Sequence, residues 1–334
     1  MNVLVTGAAG FIGSNFVRYW RQAYPDDVIV AVDLLTYAGV RESLDDVKDV
    51  TFVQADVADL PTMEQTLTEH AVDTVVHFAA ESHNSYAVVD PGRFFRTNVI
   101  GTQSLLEAAR RAGARRFHHI STCEVYGDLP LDAGPDQAFT EESPYRPRTP
   151  YNASKAGADH AVRAYFETWE LPVTITNCSN NYGPYQFPEK VIPLFVTRAS
   201  DDNTLPLYAS TANQREWLHV EDHCRAIDAV IRNGRIGETY NVGSGYELSI
   251  EEIADAVLSV LGKPESLKTI VPDRPGHDRR YLLDSSKLRR ELGWAPLIPF
   301  GEGLASTVAW YREHRDWWTP LLGRAPVAEE SAWR

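Results

Sequence analysis

Short apolar runs, each followed by an amphipathic stretch, set the rhythm of the first half of the chain. Residues 2–6 form the first run, and 16–22 carry a helical pattern of apolar positions. Further runs stand at 28–32, 51–53, 74–78 and 116–121, with helical spacing between them. Strands alternating with helices predict a parallel, doubly wound α/β sheet. From about residue 177 the pattern mixes loops, short strands and helices such as 251–261. The expected division is a first domain over 1–176, to which later segments return, and a smaller α/β substrate-binding lobe mainly over 177–321. A tail over 322–334 follows, with Trp317 and Trp318 read as a packing anchor before it.

The junction after the first run carries Gly7, Gly10 and Gly13, with Phe11 and Ile12 between them. Glycines suit a tight strand-to-helix turn whose backbone N–H groups approach a pyrophosphate. The spacing is Gly-x-x-Gly-x-x-Gly, and an ordinary strand-to-helix turn could also carry it. Asp33 ends the second run, twenty residues after Gly13. A carboxylate there accepts hydrogen bonds from a ribose diol and repels a 2′-phosphate. No Arg follows it, so the cofactor expected is NAD. Asp56 with Val57 suits an adenine-edge contact, although Asp56 equally suits a helix N-cap. Ala79 and Ala80 leave room for a cofactor lying close.

Bulk properties narrow the class. The chain has 334 residues and a formal charge of -14, which argues against nucleic acid as partner. Cys123, Cys178 and Cys224 have neither disulfide nor metal-ligand spacing, so no metal is expected. No leader and no membrane span are read from the sequence, and a cytoplasmic location is expected.

Tyr151 and Lys155 stand four apart, one turn of a helix. An ammonium near a phenol favours the phenolate, which can take a proton from a sugar hydroxyl while hydride leaves the same carbon. Ser121 or Thr122 would hydrogen-bond that hydroxyl. Cys123 and Glu124 follow directly, an acid–base pair that could move protons on a sugar.

These motifs resemble the extended short-chain dehydrogenase/reductase superfamily, and more closely the dTDP-glucose 4,6-dehydratases. The resemblance rests on Glu81-Ser82-His83, Glu124-Val125-Tyr126-Gly127, the segment 177–190 and the segment 273–281. It implies a Rossmann-like fold, bound NAD, and a nucleotide sugar as substrate. It implies C4 oxidation with Tyr151 as base, removal of the C5 proton by Glu124, loss of the C6 hydroxyl, and hydride return to C6. It adds Thr97 to the cofactor contacts. It places Ser82 and His83 at the sugar, and Asn180 near the pyrophosphate. Lys190, Val191, Pro206, Tyr208, Arg215, Arg274 and His277 would hold base and diphosphate. It also implies a homodimer built on the helix of Tyr151 and one over about 101–112.

Three departures stand out. The family reads Thr-Asp-Glu where this chain has Thr122-Cys123-Glu124. A thiol with a pKa of about 8.5 is protonated at neutral pH and could replace the acid. The triplet also resembles UDP-N-acetylglucosamine 5,6-dehydratases, which return hydride to C4 and leave an exocyclic alkene. Asn84-Ser85-Tyr86-Ala87 replaces Val-Asp-Arg-Ser, and 209–217 loses a Lys and two glycines but keeps Arg215. Two alternatives therefore stay open beside a 4,6-dehydratase: a 5,6-dehydratase acting on a nucleotide sugar or a nucleoside, and a nucleotide-sugar 4-epimerase.

Overall fold

Burial on both sides explains the apolar runs. In β1 (Asn2–Thr6), Leu4 packs into the cluster on one face of the sheet, and Val3 and Val5 into the cluster on the other. The protein is described from a computed structural model over residues 1–273 and 275–325. Arg274 and the end of the tail, 326–334, lie outside the described residues. Strands β2 (Val28–Asp33), β3 (Val50–Gln54), β4 (Thr74–His77), β5 (Arg116–Thr122) and β6 (Val173–Cys178) follow. Beyond them come β7 (Asn180–Tyr182), β8 (Leu205–Tyr208), β9 (Gln214–His219), β10 (Thr239–Val242), β11 (Glu247–Ser249) and β12 (Lys268–Val271).

Among the described residues seven strands form one sheet in the order β10-β6-β5-β4-β1-β2-β3. Every neighbouring pair in it is parallel. The α/β doubly wound sheet is thus the one the alternation predicted. Its edge strand β10 comes from beyond residue 177. Helices α1 (Phe11–Ala23), α2 (Leu60–Glu69), α3 (Asn84–Val89), α4 (Pro91–Phe95), α5 (Thr102–Ala112) and α6 (Pro150–Trp169) belong to the first half. Later ones are α7 (Val191–Ser200), α8 (Val220–Asn233), α9 (Ile250–Leu261), α10 (Ser286–Leu292), α11 (Phe300–Glu313) and α12 (Arg315–Trp318). Leu105, Leu106, Val162 and Met63 cover one face of the sheet, and Phe16, Trp20 and Ile227 the other. A separate core joins Phe195, Trp217, Val257, Leu304 and Trp318 in the second half.

Local chemistry sets the ends that matter. α1 starts at Phe11, earlier than the apolar pattern suggested, because Gly10 is extended and caps it without a side chain. Thr149 caps α6 by accepting the Asn152 N–H, and Pro150 occupies the first turn. β1 lies between β2 and β4, so chain connections diverge there and open a crevice at the strand ends. No helix among the described residues is long and apolar enough to cross a membrane.

Candidate active site

The crevice holds a cavity of about 330 Å³. Gly7, Gly10, Phe11, Ile12 and Gly13 line its floor. Gly7 has φ +65°, and a Cβ on Gly13 would lie 2.1 Å from the Gly7 carbonyl oxygen. Only glycine permits that approach. Asp33 closes one end. Its carboxylate accepts the Ala9 N–H at 2.9 Å and the Leu35 N–H at 2.8 Å. Burial pushes the Asp33 carboxyl up, and those two backbone bonds oppose it. Val57, Ala79, Ala80 and Thr97 line the walls, as does Asp56. Asp56 accepts the Ala58 N–H, whereas Asp59 caps α2, so the N-cap alternative falls to Asp59. The uncapped first turn of α1, the glycine floor and the Asp33 carboxylate on the cavity wall fit NAD.

Tyr151, Lys155 and Thr122 line the same cavity at its other end. The Thr122 hydroxyl lies beside the Tyr151 phenol and acts to lower its pKa. Ser121 donates instead to the buried Asp159 at 2.8 Å, which leaves Thr122 as the hydroxyl beside Tyr151. Lys155 Nζ donates to the Ile120 carbonyl at 2.7 Å. Burial pulls the Lys155 amine down to about 8, against the charge of Asp159. The expected lowering of the phenol is not what the structure shows. Burial, then the charge of Glu124, pushes Tyr151 well up, and the Thr122 hydroxyl opposes them.

A second cavity of about 680 Å³ adjoins the first. Ser82, Glu124, Asn180, Phe187, Glu189 and Lys190 line both, so the two meet there. His83, Val191, Pro206, Tyr208, Arg215 and His277 line the larger one. The expected partner Arg274 lies outside the described residues. Arg215 is less available than expected. Its guanidinium donates to the carbonyls of Gln214, Arg279 and Asp278 and sits over the Tyr281 ring. His277 Nδ1 pairs with Ser210 Oγ at 3.0 Å, which pins the altered loop before β9. Trp318 and Leu321 line this cavity too, so the region read as a mere anchor contributes to its wall.

Cys123 is the main correction. It is 1% exposed, lies on neither cavity wall, and packs among Val125, Tyr126, Ala156 and Tyr281. In the short turn Cys123–Tyr126 the next residue, Glu124, takes the cavity face. Burial pushes the thiol well up, so it stays protonated.

A family model described as GDP-mannose 4,6 dehydratase matches residues 4–307. The chain belongs to this family. Within the dehydratase family, it is 48% identical over 329 residues to the dTDP-glucose 4,6-dehydratase of Streptomyces antibioticus, covering 97% of this chain and 96% of that one. A crystal structure of the Streptomyces venezuelae dTDP-glucose 4,6-dehydratase, solved with NAD bound, superposes with a TM-score of 0.92. The two are 51% identical, over 96% of this chain and 100% of that one. A UDP-glucose 4-epimerase from Thermotoga maritima is more distant, at 28% identity and a TM-score of 0.87, over 94% of this chain and 99% of that one.

Sequence reasoning on this dehydratase-family chain gave no role to five side chains at the site. Asn84 Nδ2 donates to Glu124 Oε2 at 3.0 Å. Glu189 accepts from Tyr37 at 2.7 Å and from Tyr86 at 2.6 Å. Asp159 stands one turn beyond Lys155 on α6, a spacing that was legible. Tyr281 and Asp278 hydrogen-bond each other beside Glu124, within a run whose Arg and His drew attention first.

Proposed function

We propose that this chain removes water from a nucleotide-linked hexose, with dTDP-glucose as substrate, and gives a 4-keto-6-deoxy sugar. It is an NAD-dependent hydro-lyase of the sugar-nucleotide dehydratase kind. The observation that carries this reading is the meeting of the two cavities at Glu124, with Tyr151 and Thr122 on the cofactor side. The first domain, 1–176, holds the cofactor, and the lobe within 177–321 covers the sugar nucleotide. The glycine floor, Asp33, Asp56 and Lys155 hold NAD, which supplies the hydride acceptor and later the hydride donor.

Tyr151 takes the proton of the C4 hydroxyl, oriented by Thr122. Lys155 is charged at neutral pH, given its value of about 8, and offsets negative charge as it develops on the phenol. Once C4 is a ketone the C5–H is acidic, and Glu124 removes it. Lys190, Tyr208, Arg215 and His277 surround the nucleotide, and Ser82, His83 and Asn180 the sugar and first phosphate. A 4-epimerase needs no carboxylate at C5, and the position of Glu124 speaks against it. Incubation with dTDP-glucose followed by mass analysis tests the reading. Loss of one water supports it; a product of unchanged mass with inverted C4 contradicts it.

Two copies pair through α5 and α6. Exposed Phe95 and Ile100 just before α5, and Trp169 at the end of α6, support this. Light scattering then gives twice the chain mass of 37.4 kDa; a mass equal to one chain contradicts it.

A further inference from the structure

Cys123 lies off both cavity walls, which leaves the protons of the elimination to be carried by other groups. Glu124 is joined to Tyr281, which also lines the larger cavity, and through Tyr281 to the Asp278 carboxylate. Tyr281 Oη lies 3.5 Å from Glu124 Oε2 and donates to Asp278 Oδ2. Asp278 is fully buried, accepts from Asn152 Nδ2 at 3.4 Å, and has the half-exposed Arg148 guanidinium 3.5 Å away. A chain of contacts thus runs from the larger cavity through Glu124 and Tyr281 to the buried Asp278 carboxylate, with the half-exposed Arg148 guanidinium next to it.

We propose that Tyr281 and Asp278 are a proton relay that supplies, through Glu124, the proton added to C5 when the hydride returns to C6. The inference rests on the dehydratase reading. Glu124 takes the C5 proton as the C5–H pair becomes the C5–C6 double bond. The C6–O bond breaks with its pair, and the departing oxygen takes that same proton from Glu124 and leaves as water. Glu124 is then a carboxylate again. Hydride addition at C6 pushes the double-bond pair to C5, which needs one proton. Tyr281 passes its proton to Glu124 and on to C5, and regains one from solvent by way of Asp278. The proton taken from the C4 hydroxyl by Tyr151 returns to solvent, so the sum is loss of one water.

Tyr281 suits this task. Burial, then the charges of Glu124 and Asp278, pushes its phenol well up, so it holds a proton between two carboxylates. It acts through Glu124 and is a relay residue, not a group on the reacting carbon. Without the relay the unsaturated 4-keto sugar forms but is not reduced. The group that decides whether the unsaturated sugar is reduced at C6 is then Tyr281, not Cys123.

The test is turnover of dTDP-glucose in D2O by the NAD-loaded wild type, Tyr281→Phe and Asp278→Asn. The wild type gives a 6-methyl product carrying deuterium at C5. Both variants still lose water but lose the 6-methyl product, and the unsaturated sugar builds up to at most one equivalent per bound NAD, with the nicotinamide left reduced. A purely structural role slows both stages together and overturns the relay. Tyr281→Phe giving wild-type amounts of C5-deuterated methyl product also overturns it, as does a wild type that keeps hydrogen at C5. A Cys123→Ala variant that accumulates the unsaturated sugar while Tyr281→Phe does not assigns the role to Cys123 instead. A wild type that removes no water contradicts the dehydratase reading itself, a result distinct from failure of the relay alone.

Discussion

The side-chain amide of Asn84 donates to Glu124 Oε2 at 3.0 Å. Asn84 is held in turn, because Thr149 donates to its Oδ1 at 2.8 Å while capping the helix of Tyr151. Glu124 is thereby fixed to the helix that carries Tyr151. A hydrogen bond to a charged group contributes about 1.5–3 kcal/mol. Asn84→Ala is therefore expected to slow water loss by about tenfold to a hundredfold. C4 oxidation changes less. Single-turnover kinetics that separate nicotinamide absorbance from water loss check this, and equal slowing of both stages contradicts it.

Lys155 sets the alkaline side of the pH profile. Its amine, with an ordinary value of 10.5, is pulled down to about 8 by burial. Turnover is expected to fall as pH rises through about 8, where the ammonium is lost. Lys155→Met retains only residual activity, without that limb. Stability has the opposite sign. Between about 8 and 10.5 the unfolded chain binds the proton and the folded chain does not, so stability rises with pH across that window. The cost of the buried charge is complete below the folded value. Lys155→Met relieves that cost at neutral pH and gains nothing from its relief above 10.5. Chemical denaturation of both proteins at several pH values measures the difference, which shrinks as pH rises.

Gly13→Ala is expected to abolish retention of NAD. Its Cβ would meet the Gly7 carbonyl oxygen at 2.1 Å, and backbone on both sides must move. Overpacking of this kind costs about 1–3 kcal/mol. The nucleotide released on denaturing the purified protein is the measurement; a full complement of NAD contradicts the assignment of the glycine floor.

Tyr86 occupies the place of an Arg in the resembling family and donates to Glu189 at 2.6 Å. Its ring also stacks on His83, with centroids 4.3 Å apart. Tyr86→Phe keeps the ring and removes the bond. Glu189 stands where the cavities meet, so the loss falls on substrate binding. KM is expected to rise about tenfold, the lower end of a bond to a charged group. The kcat changes by less than about threefold. Steady-state kinetics decide it, and a fall confined to kcat contradicts the account.

The sheet was readable because its strands are buried on both faces and leave continuous apolar runs such as 28–32. Gly7 and Gly13 were readable because they face each other within the turn that joins β1 to α1, and Asp33 because it ends the next apolar run. Contacts made across long separations were not. Glu189 meets Tyr37 and Tyr86, which lie 152 and 103 residues away in sequence. Asn84 stood beside Ser85 and Tyr86, where a charged pair is lost, and its own bond to Glu124 depends on how α3 and the turn after β5 are placed. Cys123 drew attention by its neighbours in sequence. In a tight turn adjacent side chains point apart, and only Glu124 reaches the substrate cavity.

Proton NMR of the product formed from dTDP-glucose by the NAD-loaded protein tests the central claim most directly. The account predicts loss of one water and a new methyl doublet from C6. Exocyclic methylene signals in place of the methyl, or recovery of unchanged substrate, would contradict it.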